Sequence, residues 1–147
     1  MEPEITVFRT DRPGIRKVLG DLEAEIMELV WARPEGTGTT VRDVFEVLYE
    51  RRKVAYTTAM NTMVRMAKKK LLRVEKHEQA QAYVYYPTLT QEQFIARFVS
   101  RLLEDLVVNF SGATLEGLSH LPDKDAAARA HALVEEINQR RKAEETE

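Results

Sequence analysis

The chain has 147 residues, 44% of them hydrophobic and 31% charged, with a formal net charge of −2 and no cysteine. That bounds it to one domain, or a small domain with an appendage, able to build a core beneath an ordinary soluble surface. Without cysteine there are no disulfides, thiolate metal sites or cysteine nucleophiles; with no apolar run of membrane-spanning length and an acidic start, Met1-Glu2-Pro3-Glu4, that is no signal peptide, a cytoplasmic protein is expected.

Residues 1–18 read as an extension. Pro3, Pro13 and Gly14 punctuate it, and Ile5, Val7 and Phe8 are its apolar cluster. Leu19-Gly20-Asp21 opens a first helix through about Trp31, with Leu22, Ile26, Leu29 and Val30 as its buried stripe and Trp31 in the core. Pro34, Gly36 and Gly38 make a loop. Thr40 then caps a second helix, with Asp43 completing a capping-box pair and Val41, Val44, Phe45 and Leu48 on its apolar side. The basic triplet Arg51-Arg52-Lys53 ends it favourably, at the negative end of the helix dipole.

A turn through Lys53-Val54-Ala55 leads to a third helix, expected over about Thr57–Leu71. Met60, Met63, Val64 and Ala67 fall on one side by i, i+3, i+4, i+7 spacing, and Thr58, Asn61, Thr62, Arg65 and Lys69 on the other. A second helix followed closely by a third with a Thr/Asn/Arg outer face is a helix-turn-helix arrangement. Leu72–Lys76 and Ala82–Tyr86 then read as two short strands around a polar loop, a hairpin wing closed by Pro87.

Thr90 with Gln93 forms a further capping box, opening a long helix from Gln91 to about Phe110. Phe94, Phe98, Leu102, Leu106 and Phe110 recur every fourth residue, with Ile95, Val99, Leu103 and Val107 in a row beside them. So wide an apolar face is costly in water, and a second copy of the chain is the simplest cover, so a homodimer is expected. Ser111-Gly112 is expected to break the helix. A short segment, Ala113–Ser119, precedes a last helix over about Asp123–Lys142, whose inner face holds Ala127, Ala130, Leu133, Val134 and Ile137. The fold class is therefore mainly α: an N-terminal extension (1–18), a winged helix-turn-helix DNA-binding domain (19–88) and an α-helical dimerisation region (89–147).

The charge is unevenly placed. Residues 1–88 carry 15 basic and 13 acidic groups, residues 89–147 carry 7 and 11, and Arg51–Lys76 alone holds nine Lys/Arg against Glu75. A basic first half and an acidic second half fit a nucleic-acid module followed by a protein-facing part. On a major groove, Asn pairs with adenine, Arg with guanine, and Thr touches a thymine methyl or a phosphate. Thr57, Thr58, Asn61, Thr62 and Arg65 are the candidate base readers. Thr40, Arg42, Lys53, Tyr56 and Lys69 are the candidate phosphate contacts, helped by the amides that start the second and third helices. The plainer reading of the third helix is a solvated polar face, with Thr57 a cap and Tyr56 a packed ring. Enzyme chemistry finds little support: His77, His120 and His131 are scattered, and there is no HExxH, GxSxG or Gly-rich phosphate loop. Surface histidines outweigh a His120/Asp123/His131 metal site, and no cofactor is expected.

Four stretches, in order, resemble the penicillinase/methicillin-resistance repressor family (BlaI/MecI/CopY type): Leu19–Trp31, Thr40-Val41-Arg42-Asp43-Val44, Ala55–Met63 and Ala82-Tyr83-Val84-Tyr85-Tyr86-Pro87. The resemblance is strong over Leu19–Pro87 and looser beyond. It implies a dimeric winged-helix repressor whose third helix reads a palindromic, often TACA/TGTA-like operator in double-stranded DNA, with the C-terminal helices forming the dimer. Some members are inactivated when a sensor-activated protease cuts an Asn–Phe bond in the dimerisation region; Asn109-Phe110 stands where that bond would be. The family usually has Gly where Lys70 stands and Gly-Arg where Ala80-Gln81 stands. Gln81 thus takes the DNA-facing wing position without the family's Arg. Copper-responsive relatives carry Cys-x-Cys pairs, and that mode of sensing is excluded here. Two other readings stay open, a ligand-gated winged-helix regulator with an apolar pocket near the dimer helices and a winged-helix protein-interaction module.

Overall fold

The structure, a computed structural model, describes residues 3, 7–9, 11–12, 14–79 and 82–146. Ile5 and Pro13 of the extension, and Ala80 and Gln81 of the wing, lie outside the described residues. Six α-helices and one hairpin follow each other along the chain: α1 (Asp21–Ala32), α2 (Val41–Arg52), α3 (Tyr56–Lys68), β1 (Leu72–His77), β2 (Ala82–Pro87), α4 (Gln91–Asn109), α5 (Ser111–Ser119) and α6 (Lys124–Glu145). They form two compact units, Met1–Ile95 and Ala96–Glu147, with α4 starting in the first and continuing in the second. Among the described residues, no helix is long and apolar enough to cross a membrane.

The first unit is a winged helix. Its core is built by Ala24, Ile26, Met27 and Val30 of α1, Val44 and Leu48 of α2, and Ala59, Met63 and Met66 of α3, closed below by Leu71 and Leu72. Leu22 and Leu29, expected in the α1 stripe, flank the core half-buried. The last turn of the extension, a 3₁₀ turn over Gly14–Lys17, packs Ile15 and Val18 on the core. Arg16 there lies 3.8 Å from Glu25 of α1, which also takes Arg52 from the end of α2 at 3.0 Å.

Capping sets the helix starts. Thr40 Oγ1 accepts from the Asp43 amide at 3.1 Å, and Asp43 Oδ2 accepts from the Thr40 amide at 2.9 Å, so both halves of the box are present. Burial alone pushes the Asp43 carboxyl up, but the two Thr40 contacts and the Arg33 guanidinium, 3.3 Å away, hold it below its usual range. Thr90 and Gln93 exchange the same pair of bonds at 3.1 Å each.

Helix α3 ends in a Schellman motif. The Leu71 amide reaches the Met66 carbonyl and the Lys70 amide the Ala67 carbonyl, both at 3.0 Å, with Lys70 at φ 64°. This turn delivers the chain into β1, which pairs antiparallel with β2 in the register Leu72↔Pro87 to His77↔Ala82. A third stretch, unexpected from sequence, joins this hairpin. Thr39 exchanges both backbone bonds with Tyr85, at 2.9 and 2.8 Å, and so ties the wing to the residue before the α2 cap. The approach requires Gly38, where a β-carbon would overlap Val84 Cγ1 and come within 2.9 Å of Tyr86 Cζ.

Three expectations change here. Phe94, assigned to a dimer face, is 3% exposed in the winged-helix core, its ring 5.6 Å from Trp31. Trp31 is half-buried rather than central, with Nε1 donating to the Leu89 carbonyl at 2.9 Å. The break after α4 falls at Phe110 (φ −135°, ψ 42°), and Ser111 and Gly112 belong to α5, because glycine permits a break without requiring one.

In the second unit α5 and α6 pack on each other, and Thr114 Oγ1 donates to the Leu106 carbonyl at 3.0 Å. Asp123 caps α6 by accepting from the Asp125 and Ala126 amides, both at 3.0 Å. Its buried apolar residues are Val107, Ala127 and Val134. Leu133 and Ile137, expected on the inner face of α6, are exposed in the single chain, as are Val99, Leu103, Val108 and Phe110. Phe98, Leu102 and Leu106 are half-buried.

Candidate nucleic-acid interface

Helix α3 is held between the core and solvent by its own apolar stripe. Ala59, Thr62, Met63 and Met66, at i, i+3, i+4 and i+7, are buried. This is the expected spacing advanced by one residue, so the helix is rotated from its expected phase. Met60 and Val64 emerge at the surface beside the wing. Thr62 turns inward instead: it is 2% exposed, and its hydroxyl donates to the Thr58 carbonyl at 2.7 Å. That bond satisfies the hydroxyl within the helix and makes its burial cheap. Thr62 is therefore no base reader.

Thr57, Thr58, Asn61 and Arg65 are exposed together on the outer side of α3. Among the described residues, the side chains of Asn61 and Arg65 have no hydrogen-bond or ion-pair partner. Ala55 is the N-cap of α3 and no side chain caps the helix, which leaves the first-turn amides open to an acceptor from outside. Thr57 therefore does not serve as the cap.

The flanking positions are more engaged. Tyr56 is exposed, yet its ring meets Phe45 edge-on at 5.4 Å, so it is both a packed ring and a surface hydroxyl. Lys53, at the C-cap of α2 with φ 56° and ψ 36°, donates its amide to the Tyr49 carbonyl and carries its ammonium 4.6 Å from the Tyr49 ring. Arg42 is exposed and pairs with Glu46 at 3.3 Å. The Thr40 hydroxyl oxygen accepts in the capping box, which leaves its hydrogen free to donate. Lys69, expected on the outer face, reaches back to Glu23 of α1 at 3.3 Å and fastens α3 to α1. Its role is structural, and nothing local in the sequence announces a partner 46 positions away.

Ion pairing thins the basic stretch without cancelling it. Arg52 is matched by Glu25, Lys69 by Glu23, and Arg73 by Glu75, with Arg73 also over the Tyr86 ring. Arg51, Lys53, Arg65, Lys68, Lys70 and Lys76 remain without a carboxylate partner among the described residues. Four of them lie on α3 or in the turn and strand that follow it. Lys68 lies one residue from the outer face that the spacing predicts, so the pattern alone does not place it there. Among the described residues, no group of three His, Asp or Glu is placed to hold a metal ion. His120 Nδ1 lies 2.7 Å from the Glu116 carbonyl and His131 lies 3.8 Å from Glu135, so neither histidine meets Asp123.

A family model described as "Penicillinase repressor" matches residues 19–127, which span α1 to the first turn of α6. Two curated proteins of Mycobacterium tuberculosis, from two strains and both described as "Transcriptional regulator BlaI", are similar to the chain. Each is 35% identical over 115 residues, covering 78% of this chain and 79% of the relative.

Proposed function

The chain belongs to the penicillinase repressor family, a family of transcriptional repressors rather than enzymes, and on that premise we propose that it works as a homodimer on a palindromic operator. Each protomer lays α3 in a major groove, with Thr57, Thr58, Asn61 and Arg65 toward base edges. Arg42, Lys53, Tyr56, Thr40 and the open amides of α3 take phosphates, and the wing tip, Gln81 included, takes the flanking backbone. The two copies of α3 then stand about 34–36 Å apart, one turn of DNA, or a multiple of it. The observation that carries this reading is the outer face of α3. A Thr/Thr/Asn/Arg surface without internal partners, on a helix pinned by its opposite side, is preorganised for base contact.

The second unit supports the dimer. A 52-residue unit that buries only Val107, Ala127 and Val134 among its described apolar residues, while Val99, Leu103, Leu133 and Ile137 face solvent, lacks a core of its own. A second copy supplies the missing cover. Release from DNA follows from cleavage between Asn109 and Phe110 by a sensor-activated protease in the same cytoplasm. That bond joins the last residue of α4 to Phe110, which is exposed and breaks the helical path between α4 and α5.

The test is fluorescence anisotropy with a TACA/TGTA-containing palindrome and a scrambled duplex, across salt. Saturable binding at two chains per palindrome, with log affinity falling steeply as salt rises, is expected. Equal, weak binding to both duplexes would refute sequence reading, and no binding at low salt would favour a protein-interaction module.

A further inference from the structure

The observed phase of α3 puts Met60 and Val64 on a groove between that helix and the hairpin, whose chemistry base reading does not use. Tyr56, Met60 and Val64 follow each other at four-residue steps along one wall, with Lys68 a step further; Val74 and Tyr83 stand on the other. The groove is open to solvent along its length and offers about 880 Å³, within the range of sites that hold small organic molecules. Tyr85 lies at its inner side. This residue is 5% exposed, and its hydroxyl has no hydrogen-bond partner among the described residues. Burial pushes the phenol pKa up, and Tyr56 and Tyr83 push it the same way, so the hydroxyl keeps its proton and remains a donor. The Tyr85 oxygen reaches solvent through the groove, so an anionic acceptor arriving there replaces water with a charge-assisted hydrogen bond. Among the described residues no carboxylate lines the groove; the unpaired Lys68 stands on its rim, as does Arg42, whose charge is shared with Glu46.

We propose that this groove binds a small amphipathic organic anion, an aromatic or branched aliphatic carboxylate or sulfonate. Its apolar body lies between Met60, Val64 and Val74, its anionic oxygen accepts from Tyr85, and the unpaired Lys68 supplies the positive field. Thr40, Arg42 and Tyr56 belong both to the groove and to the phosphate-contacting set above, so anion and operator exclude each other. That linkage rests on the DNA reading; the binding site itself does not.

The full chain is titrated with anilinonaphthalene sulfonate and, separately, with its uncharged relative phenylnaphthylamine. Fluorescence reports affinity, and the methyl resonance of Met60, assigned with Met60→Leu, reports location. The sulfonate should bind saturably, move the Met60 signal and bind more tightly than the uncharged compound. Tyr85→Phe should weaken the sulfonate by about fivefold or more while leaving the uncharged compound unchanged. Lys68→Gln should act in the same selective way, and Val64→Phe, which fills the groove, should remove the Met60 shift. Tyr85→Phe deletes only an unpartnered hydroxyl, so an unchanged melting curve separates its effect from misfolding. A Met60 signal unmoved at saturation, or equal losses for both compounds, would overturn the proposal. Displacement of a bound palindrome by the sulfonate supports the linkage. Binding at Met60 without any affinity for DNA would keep the site and sink the repressor reading.

Discussion

Asn61→Ala separates base reading from everything else that α3 does. The side chain is exposed and has no partner among the described residues, so its removal breaks no internal contact. Alanine is also the better helix former by a few tenths of a kcal/mol, and folding stability should stay within about 0.5 kcal/mol of wild type. On DNA the cost is different. A bidentate Asn–adenine contact discriminates by about 1–3 kcal/mol, and a dimer on a full palindrome makes it twice. The expected loss is therefore about 2–6 kcal/mol, at least ~30-fold in affinity, and about half that free energy on a single half-site. Anisotropy titrations with palindromic, half-site and scrambled duplexes at matched salt measure all three. Binding to the scrambled duplex and the slope of log affinity against log salt should not change, since no phosphate contact is touched. An equal loss on palindrome and scrambled DNA would refute the reasoning, as would no loss on either.

Lys70→Gly should raise stability by about 0.5–1 kcal/mol, because Lys70 sits at φ 64°, where only glycine avoids a steric penalty; an unchanged urea midpoint would show that the turn carries no strain. Gly38→Ala should cost about 1–3 kcal/mol by forcing Val84 and Tyr86 away from the Thr39–Tyr85 bridge, with hydrogen exchange at the Thr39 and Tyr85 amides accelerating ahead of the core; wild-type exchange there would contradict the packing. Leu103→Asp places a charge on a side chain 53% exposed in the single chain, so the protomer should fold normally while the dimer loses roughly a hundredfold or more in association, read by sedimentation velocity; an undiminished dimer would put the interface elsewhere.

The parts of this molecule legible in its sequence are those set by local spacing. The Thr40/Asp43 and Thr90/Gln93 boxes each need only a hydroxyl and an acceptor three residues on, and both form. The hairpin follows from β-forming residues closed by Pro87. What escaped depended on the rest of the fold. Met60 and Val64 look more apolar than Ala59 and Thr62, so composition favoured the wrong phase of α3. The hydroxyl of Thr62 hides itself against the Thr58 carbonyl, and the methionines that matter are Met63 and Met66. Phe94 has the spacing of the α4 row, yet the Trp31 ring claims it for the winged-helix core. Lys69 carries a charge that reads as DNA-facing until Glu23 is seen beside it.

If the chain is a dimer cut at Asn109–Phe110 as proposed, the weak core of the second unit gives the reason for that position. A monomer holding one half-site has only the contacts of a single α3 and its flanking phosphates, and such binding lies nearer to nonspecific affinity. Tethering two copies makes the second half-site an intramolecular partner at an effective concentration in the millimolar range, which multiplies affinity without a new contact. The buried residues of α6, Ala127 and Val134, lie beyond the Asn109–Phe110 bond, as do the exposed Leu133 and Ile137. Cleavage there leaves α4 covalently attached to the winged helix but takes α5 and α6 off the chain. The free energy of the dimer then drops while the reading face of α3 stays intact. The cleaved protein should accordingly keep its preference for the operator half-site and lose the tight binding that requires two copies. A cleaved form that still holds the full palindrome as tightly as the intact chain would show that α4 alone sustains the dimer.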